Sequence, residues 1–161
     1  MTAETTNINI TACDYSDQSH RRAVVDLINV YINDGMGGGV PLTEAEQAGL
    51  IEGLSTRPSS IVLLAVAGGE YVGLLVAFEN FSTFTARPMV NIHDVIVRPD
   101  YRGRGVGRML LDGIIAEAAS RRASRVTLEV RKDNRVAQSL YRSLGFEAVS
   151  PDMYYWRKYL E

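Results

Sequence analysis

The residues best suited to chemistry lie in one run, Val95-Ile96-Val97-Arg98-Pro99-Asp100-Tyr101-Arg102-Gly103-Arg104-Gly105-Val106-Gly107-Arg108. An apolar strand enters a glycine-rich turn, and the turn enters an amphipathic helix. The first amides of a helix have no partner within it and carry the positive end of its dipole. Such a junction binds phosphate through the backbone alone. Glycines at 103, 105 and 107 let successive amides converge and let a diphosphate approach closely. Arg102, Arg104 and Arg108 add positive charge and two-pronged contacts. Other phosphate loops fit worse. A P-loop needs Gly-Lys-Ser/Thr, whereas Gly107 is followed by Arg108-Met109. A dinucleotide fingerprint counted from Gly103 needs a small residue where Arg108 stands, and a first strand near the N-terminus. The plain alternative is a turn that binds nothing.

A second cluster leads into that strand. In a regular strand Asn91, His93 and Val95 share one face, while Ile92 and Asp94 share the other. A histidine with a pKa near ~6.5 accepts a proton at neutral pH, and it serves equally well as a structural residue. Asp94 and Glu79 suit a cationic ligand, with a solvated surface as their ordinary reading. Cys13 has no basic partner nearby in sequence and reads as a small core residue. A lone cysteine excludes a disulfide within the chain, and two distant histidines with one cysteine argue against a metal site.

The elements that must position these residues are legible in outline. Ile8–Cys13 alternates as a first strand, and Val24, Leu27, Ile28 and Tyr31 mark a helix over 19–33. Gly35–Pro41 interrupts the pattern, and Thr43-Glu44-Ala45-Glu46 is a capping box opening a second helix. Ile61–Ala67 and Tyr71–Phe81 read as strands joined by Gly68-Gly69. Met89–Val97 is a strand that ends at Arg98, before Pro99. A helix over 105–122 follows, then a strand over 125–130, then a helix from Asn134 to Leu144 closed by Gly145. Strands near Phe146–Val149 and Tyr154–Tyr159 complete the order β-α-α-β-β-β-α-β-α-β-β. The expected fold is α/β, one mixed sheet with helices on its faces, in a single domain over 1–161.

Arg102-Gly103-Arg104-Gly105-Val106-Gly107 matches the Arg/Gln-x-x-Gly-x-Gly/Ala signature of the GNAT superfamily of N-acetyltransferases. The resemblance continues through Asn134, Ala137, Tyr141 and Leu144-Gly145-Phe146. It implies acetyl-CoA as cofactor, with Val95, Ile96 and Val97 along the pantetheine arm. The pyrophosphate would lie on residues 102–107, with Arg108, Asn134, Ala137 and Tyr141 also near the cofactor. The sheet would splay between the strands at 89–97 and 125–130. A backbone N–H at 95–97 would face the thioester oxygen, and Tyr141 would be the acid that protonates the departing thiolate. A phenol near ~10 protonates a thiolate near ~8.5 only if that thiolate is poorly solvated or the donation is concerted. Tyr141 otherwise reads as an aromatic at a helix end, and Asn134 as an N-cap, a cofactor ligand, or both.

The resemblance further implies direct attack by an amine, with His93, Asp94 or water as the base. Phe81-Ser82-Thr83 followed by His93-Asp94 is similar to polyamine and protein-lysine acetyltransferases, which carry an acidic pair where this chain has His-Asp. Asp34, Met36, Glu79, Phe84 and His93 are the candidate acceptor residues, with Gly35–Pro41 either a gate or a flexible connector. A catalytically silent acyl-CoA-binding sensor with the same fold is the alternative, and an unrelated nucleotide-binding module a more remote one.

Composition bounds the partners. A formal net charge of −2 gives no electrostatic case for nucleic acid or a membrane surface. No apolar run approaches the ~20 residues of a membrane span, and the polar first ten residues do not resemble a secretory leader. A cytoplasmic enzyme is expected, and Tyr154-Tyr155-Trp156 is either core or a homodimer contact.

Overall fold

The structure, a computed structural model, describes residues 7–35, 37 and 39–160. They fall into two compact units, 1–129 and 130–161. The first carries β1 (Ile8–Ala12), α1 (Gln18–Ile32), α2 (Glu44–Thr56), β2 (Ser60–Ala67), β3 (Glu70–Ser82), β4 (Arg87–Val97), a 3-10 turn (Pro99–Tyr101), α3 (Val106–Ser120) and β5 (Val126–Leu128). The second carries α4 (Arg135–Ser143).

The five strands form one sheet in the order β1-β2-β3-β4-β5. Every pairing is antiparallel except β4 with β5, which is parallel. The sheet is buried on both sides, which explains the continuous apolar run Val72–Ala77 at its centre. One face packs Leu74, Val76 and Ile96 against Ala23, Val24 and Leu27 of α1 and Ile51 and Leu54 of α2. The other face receives α3 through Val106, Leu110 and Ile114.

Local chemistry explains where the helices begin. Asp17 caps α1 by accepting from the Ser19 N–H at 2.7 Å. The capping box of α2 forms as expected, with the Thr43 N–H donating to Glu46 Oε2 at 2.8 Å and the Glu46 N–H to Thr43 Oγ1 at 3.3 Å. The strand expected before Pro99 ends at Val97.

Gly73 lets α3 lie close to the sheet. A Cβ there would stand 3.0 Å from Leu110 Cδ1 and Val106 Cγ1, and 3.1 Å from the Ile96 carbonyl oxygen. Gly73→Ala is therefore expected to destabilise the fold by about 1–3 kcal/mol through overpacking. Thermal unfolding reads this as a Tm fall of several degrees, and an unchanged Tm would mean that α3 yields without cost.

The last two expected strands do not form. Residues 146–160 make no ladder, and Tyr154, Tyr155, Trp156 and Tyr159 are exposed. Aromatic and β-branched residues signal a fit to a half-buried pleated surface. Residues 146–160 have no partner strand within their own unit, so that preference stays unused. The strand expected over 125–130 likewise shortens to Val126–Leu128. The observed order is β-α-α-β-β-β-α-β-α.

Candidate active site

The glycine-rich turn has the geometry that an anion site requires. Gly103 and Gly105 are left-handed, at φ +73° and +84°. Gly105 is the N-cap of α3 and offers no side chain to its amides. The other three described helices are each capped by a side chain, from Asp17, Thr43 and Asn134. The first turn of α3, a helix 15 residues long, therefore has no side-chain cap at its positive dipole end. Gly107 takes no part in the curl, because it already lies in the first helical turn.

Arg102 and Arg104 make contacts within the protein. Arg102 donates from Nη2 to Asp34 Oδ2 at 2.7 Å and from Nε to the Val97 carbonyl at 3.0 Å. Arg104 lies over the Tyr101 ring, 5.2 Å from its centroid, and the Tyr101 hydroxyl donates to Glu70 Oε2 at 3.2 Å. Arg108 is exposed on α3.

The strand leading into this turn is half unzipped. β4 runs to Val97, but β5 pairs with it only at residues 90–92, where Ile92 faces Leu128. The Arg98 N–H bonds the Val72 carbonyl on β3. Alternation along the strand then turns the N–H and C=O of Val95 and Val97 away from β3, toward the side where β5 has ended. The parting of β4 from β5 expected around the cofactor is thus present as an open strand edge. Ile96 differs from its neighbours. It is 2% exposed and packs in the α1–α2 core, so its side chain is a packing group.

A bulge rearranges the candidate bases. Val76 pairs with Asp94 while Ala77 pairs with Ile92, so His93 is the extra residue on β4. Expecting a regular strand separates His93 and Asp94 onto opposite faces, and the bulge overturns that. Asp94 shares the face of Val76, which α1 and α2 cover, and His93 lies edge-on to the Phe78 ring on the same face, with centroids 4.8 Å apart. Burial pushes the Asp94 carboxyl above the usual aspartate value, and neighbouring His93 offsets this only in part. Where the two strands part, Asn91 Nδ2 donates to Thr127 Oγ1 at 2.9 Å and ties them together. Nothing in the sequence marks Thr127 for this role, because it depends on strand pairing.

The expected acceptor residues are not all brought together. Glu79 pairs with Val90 on the α3 face and is held by Arg121 Nη1 at 3.0 Å, away from His93 and Asp94. Phe84 sits at the tip of the β3–β4 hairpin, 97% exposed. Asp34 follows the C-cap of α1 and is bound to Arg102. Met36 lies outside the described residues. Cys13 packs against the α1–α2 core, where burial and then Asp14 push its thiol up to about 11, making it a poor nucleophile. A cavity of about 540 Å³ opens elsewhere, beside α1, lined by Arg22, Asp26, Glu70 and Arg98 among others. It includes none of the turn glycines and neither His93 nor Asp94. Among the described residues no cluster of three or more His, Cys, Asp or Glu suits a metal ion, and no helix is long and apolar enough to cross a membrane.

In the second unit Asn134 caps α4 by accepting from the Ala137 N–H at 3.1 Å. Gly145, at φ +85°, closes the helix. The Phe146 N–H bonds the Tyr141 carbonyl at 3.1 Å and the Gly145 N–H bonds that of Arg142 at 3.0 Å. This is a Schellman ending, and its usual hydrophobic contact is supplied by the rings of Tyr141 and Phe146, with centroids 5.8 Å apart. The spacing from Tyr141 to Phe146 therefore has a folding role of its own.

Comparison with known proteins bears on this geometry. Residues 27–146 match the Acetyltransferase (GNAT) family. N-alpha-acetyltransferase RimI of Mycobacterium tuberculosis is 39% identical over 92 residues, which cover 56% of each chain. The [Ribosomal protein bS18]-alanine N-acetyltransferase of Salmonella typhimurium is 38% identical over 94 residues, 55% of this chain and 64% of that protein. The chain thus spans less than two thirds of either relative's length. A solved structure described as a probable acetyltransferase superposes with a TM-score of 0.80 at 23% identity, covering 96% of this chain and 99% of that one. At that identity the likeness speaks for the fold.

Proposed function

Because the chain belongs to the GNAT acetyltransferase family, we propose that it is an N-acetyltransferase that moves the acetyl group of acetyl-CoA to a primary amine. The observation that carries this reading is the uncapped N-terminus of α3, entered through left-handed Gly103 and Gly105 directly from the open edge of β4. A diphosphate fits the first, and an extended pantetheine arm fits the second as an added strand would.

Each residue then has a part. The amides of 102–107 hold the diphosphate, and Val95 and the Val97 N–H pair with the arm. The thioester supplies an activated acetyl group. The Val95 N–H, turned to the open side, donates to the carbonyl oxygen as negative charge grows on it. Asp94 takes the proton from the incoming ammonium, directly or through water, since its raised carboxyl pKa makes it a better base than an ordinary aspartate. His93 lies beside it on the acceptor face. The amine nitrogen forms its bond to the acetyl carbon as the carbon–sulfur bond breaks, Tyr141 gives a proton to the sulfur, and the nitrogen's second proton passes through water to the Tyr141 phenolate, leaving a neutral amide. The names of the two similar N-acetyltransferases support a protein or peptide α-amine as the first acceptor to test, ahead of polyamines and other small amines.

The test is a melting curve with CoA followed by an amine panel. At 100 times its Kd, CoA is expected to stabilise the fold by about 2.7 kcal/mol, roughly a 5–10 °C rise in Tm. Acetyl-CoA with a reactive amine should then release free thiol. No rise in Tm would end the reading. Binding without thiol release across peptide, polyamine and small-amine acceptors would turn it into the silent sensor.

Gly105→Val probes the turn directly. A β-branched residue at φ +84° is strained, and relaxing a left-handed L-residue is worth about 1–2 kcal/mol. Relaxation would move the converging amides, so calorimetry should report CoA affinity about ten-fold weaker. An unchanged Kd would remove the turn from the site.

A further inference from the structure

Arg102 reaches two elements from the entrance of the turn. Its Nε donates to the Val97 carbonyl, on the open side of β4, and its Nη2 to Asp34, which follows the C-cap of α1. The guanidinium is planar, so fixing one nitrogen on Asp34 orients the others, and Nε then points back at Val97. The two partners are 68 residues apart in sequence, and the contact ties the end of α1 to the turn. Chemistry alone would have Asp34 bind a cationic acceptor and Arg102 bind phosphate. Here each charge is already met by the other.

We infer that Asp34 is a positioning residue for the cofactor turn, which holds Arg102 against the end of β4 and so steadies the amides that meet the diphosphate. This inference rests on the acetyl-CoA reading of the turn. It moves Asp34 from the acceptor side of the reaction to the cofactor side. The pair is partly exposed, at 51% for the Arg102 side chain and 22% for that of Asp34, so solvent screening limits its worth. A modest effect follows, up to about five-fold in affinity, which is about 1 kcal/mol.

The experiment titrates CoA calorimetrically into the wild-type chain, Asp34→Asn, Asp34→Glu, Arg102→Ala and the double variant Asp34→Asn/Arg102→Ala. It also measures the KM for the best amine of the panel at saturating acetyl-CoA. Asp34→Asn is expected to weaken CoA binding about three- to five-fold without altering the amine KM, and Asp34→Glu to restore part of the loss. In the Arg102→Ala background Asp34→Asn should cost nothing further, because the two act as one unit. The difference between wild type and Asp34→Asn should also shrink at high salt, as a partly exposed ion pair requires. An unchanged CoA affinity in Asp34→Asn overturns the inference, as does an increase confined to the amine KM. A wild-type chain that binds no CoA sinks the acetyltransferase reading as well, and is told apart from those outcomes by its own titration.

Discussion

Asp94→Asn is expected to lower turnover by about 10²–10⁴-fold while raising the melting temperature at neutral pH. The two effects have one origin. Burial raises the carboxyl pKa of Asp94 above its ordinary 3.8, so the folded state holds the protonated acid more readily than the unfolded chain does. Asp94 contributes its full stability only below the unfolded value, and loses it as pH rises through the folded one. At neutral pH the ionised group is a net cost to the fold, and asparagine removes that cost. The Tm advantage of the variant should therefore shrink as pH falls through the raised folded value toward about 4, and change no further below it. Opposite movement of activity and stability separates a group kept for chemistry from one kept for structure. Unchanged turnover would return the base to His93 or water. A lower Tm would show that Asp94 is a structural partner, and any lost activity would then follow from the fold.

Tyr141→Phe should reduce turnover by about 10²-fold with CoA affinity and Tm close to wild type. The variant keeps the ring that packs on Phe146 at the end of α4 and removes only the hydroxyl, so the helix ending survives. Tyr141→Ala removes both, and its Tm should fall as the hydrophobic contact of the Schellman ending is lost. Comparing the two divides the folding role of Tyr141 from its chemical one. Normal turnover in Tyr141→Phe would leave protonation of the thiolate to water.

What the sequence discloses depends on how local the physics is. The capping box at Thr43, the stop before Pro99 and the left-handed Gly103 and Gly105 are set within a few residues, and each appears where the local pattern puts it. The facing of His93 and Asp94 is a property of two paired strands. One extra residue in β4 against β3 reverses it, and no periodicity within 91–95 reveals the bulge. Glu79 with Arg121 and Asp34 with Arg102 are contacts across 42 and 68 residues. These two acidic residues, which read as acceptor ligands, are each met by an arginine from another element. The aromatic segments after Phe146 carry strand propensity but lack a partner strand within their unit, and propensity without a ladder makes no strand.

The central claim is that the open edge of β4 and the uncapped start of α3 hold acetyl-CoA for transfer to an amine. The most direct measurement mixes the wild-type chain with acetyl-CoA and N-terminally free peptides, then follows free thiol and peptide mass together. The account predicts one CoA thiol released for each peptide that gains an acetyl group, with both signals falling together in Asp94→Asn and in Tyr141→Phe. Acetyl-CoA that binds yet yields neither thiol nor acetylated product, with peptides and with the remaining amines alike, would contradict it.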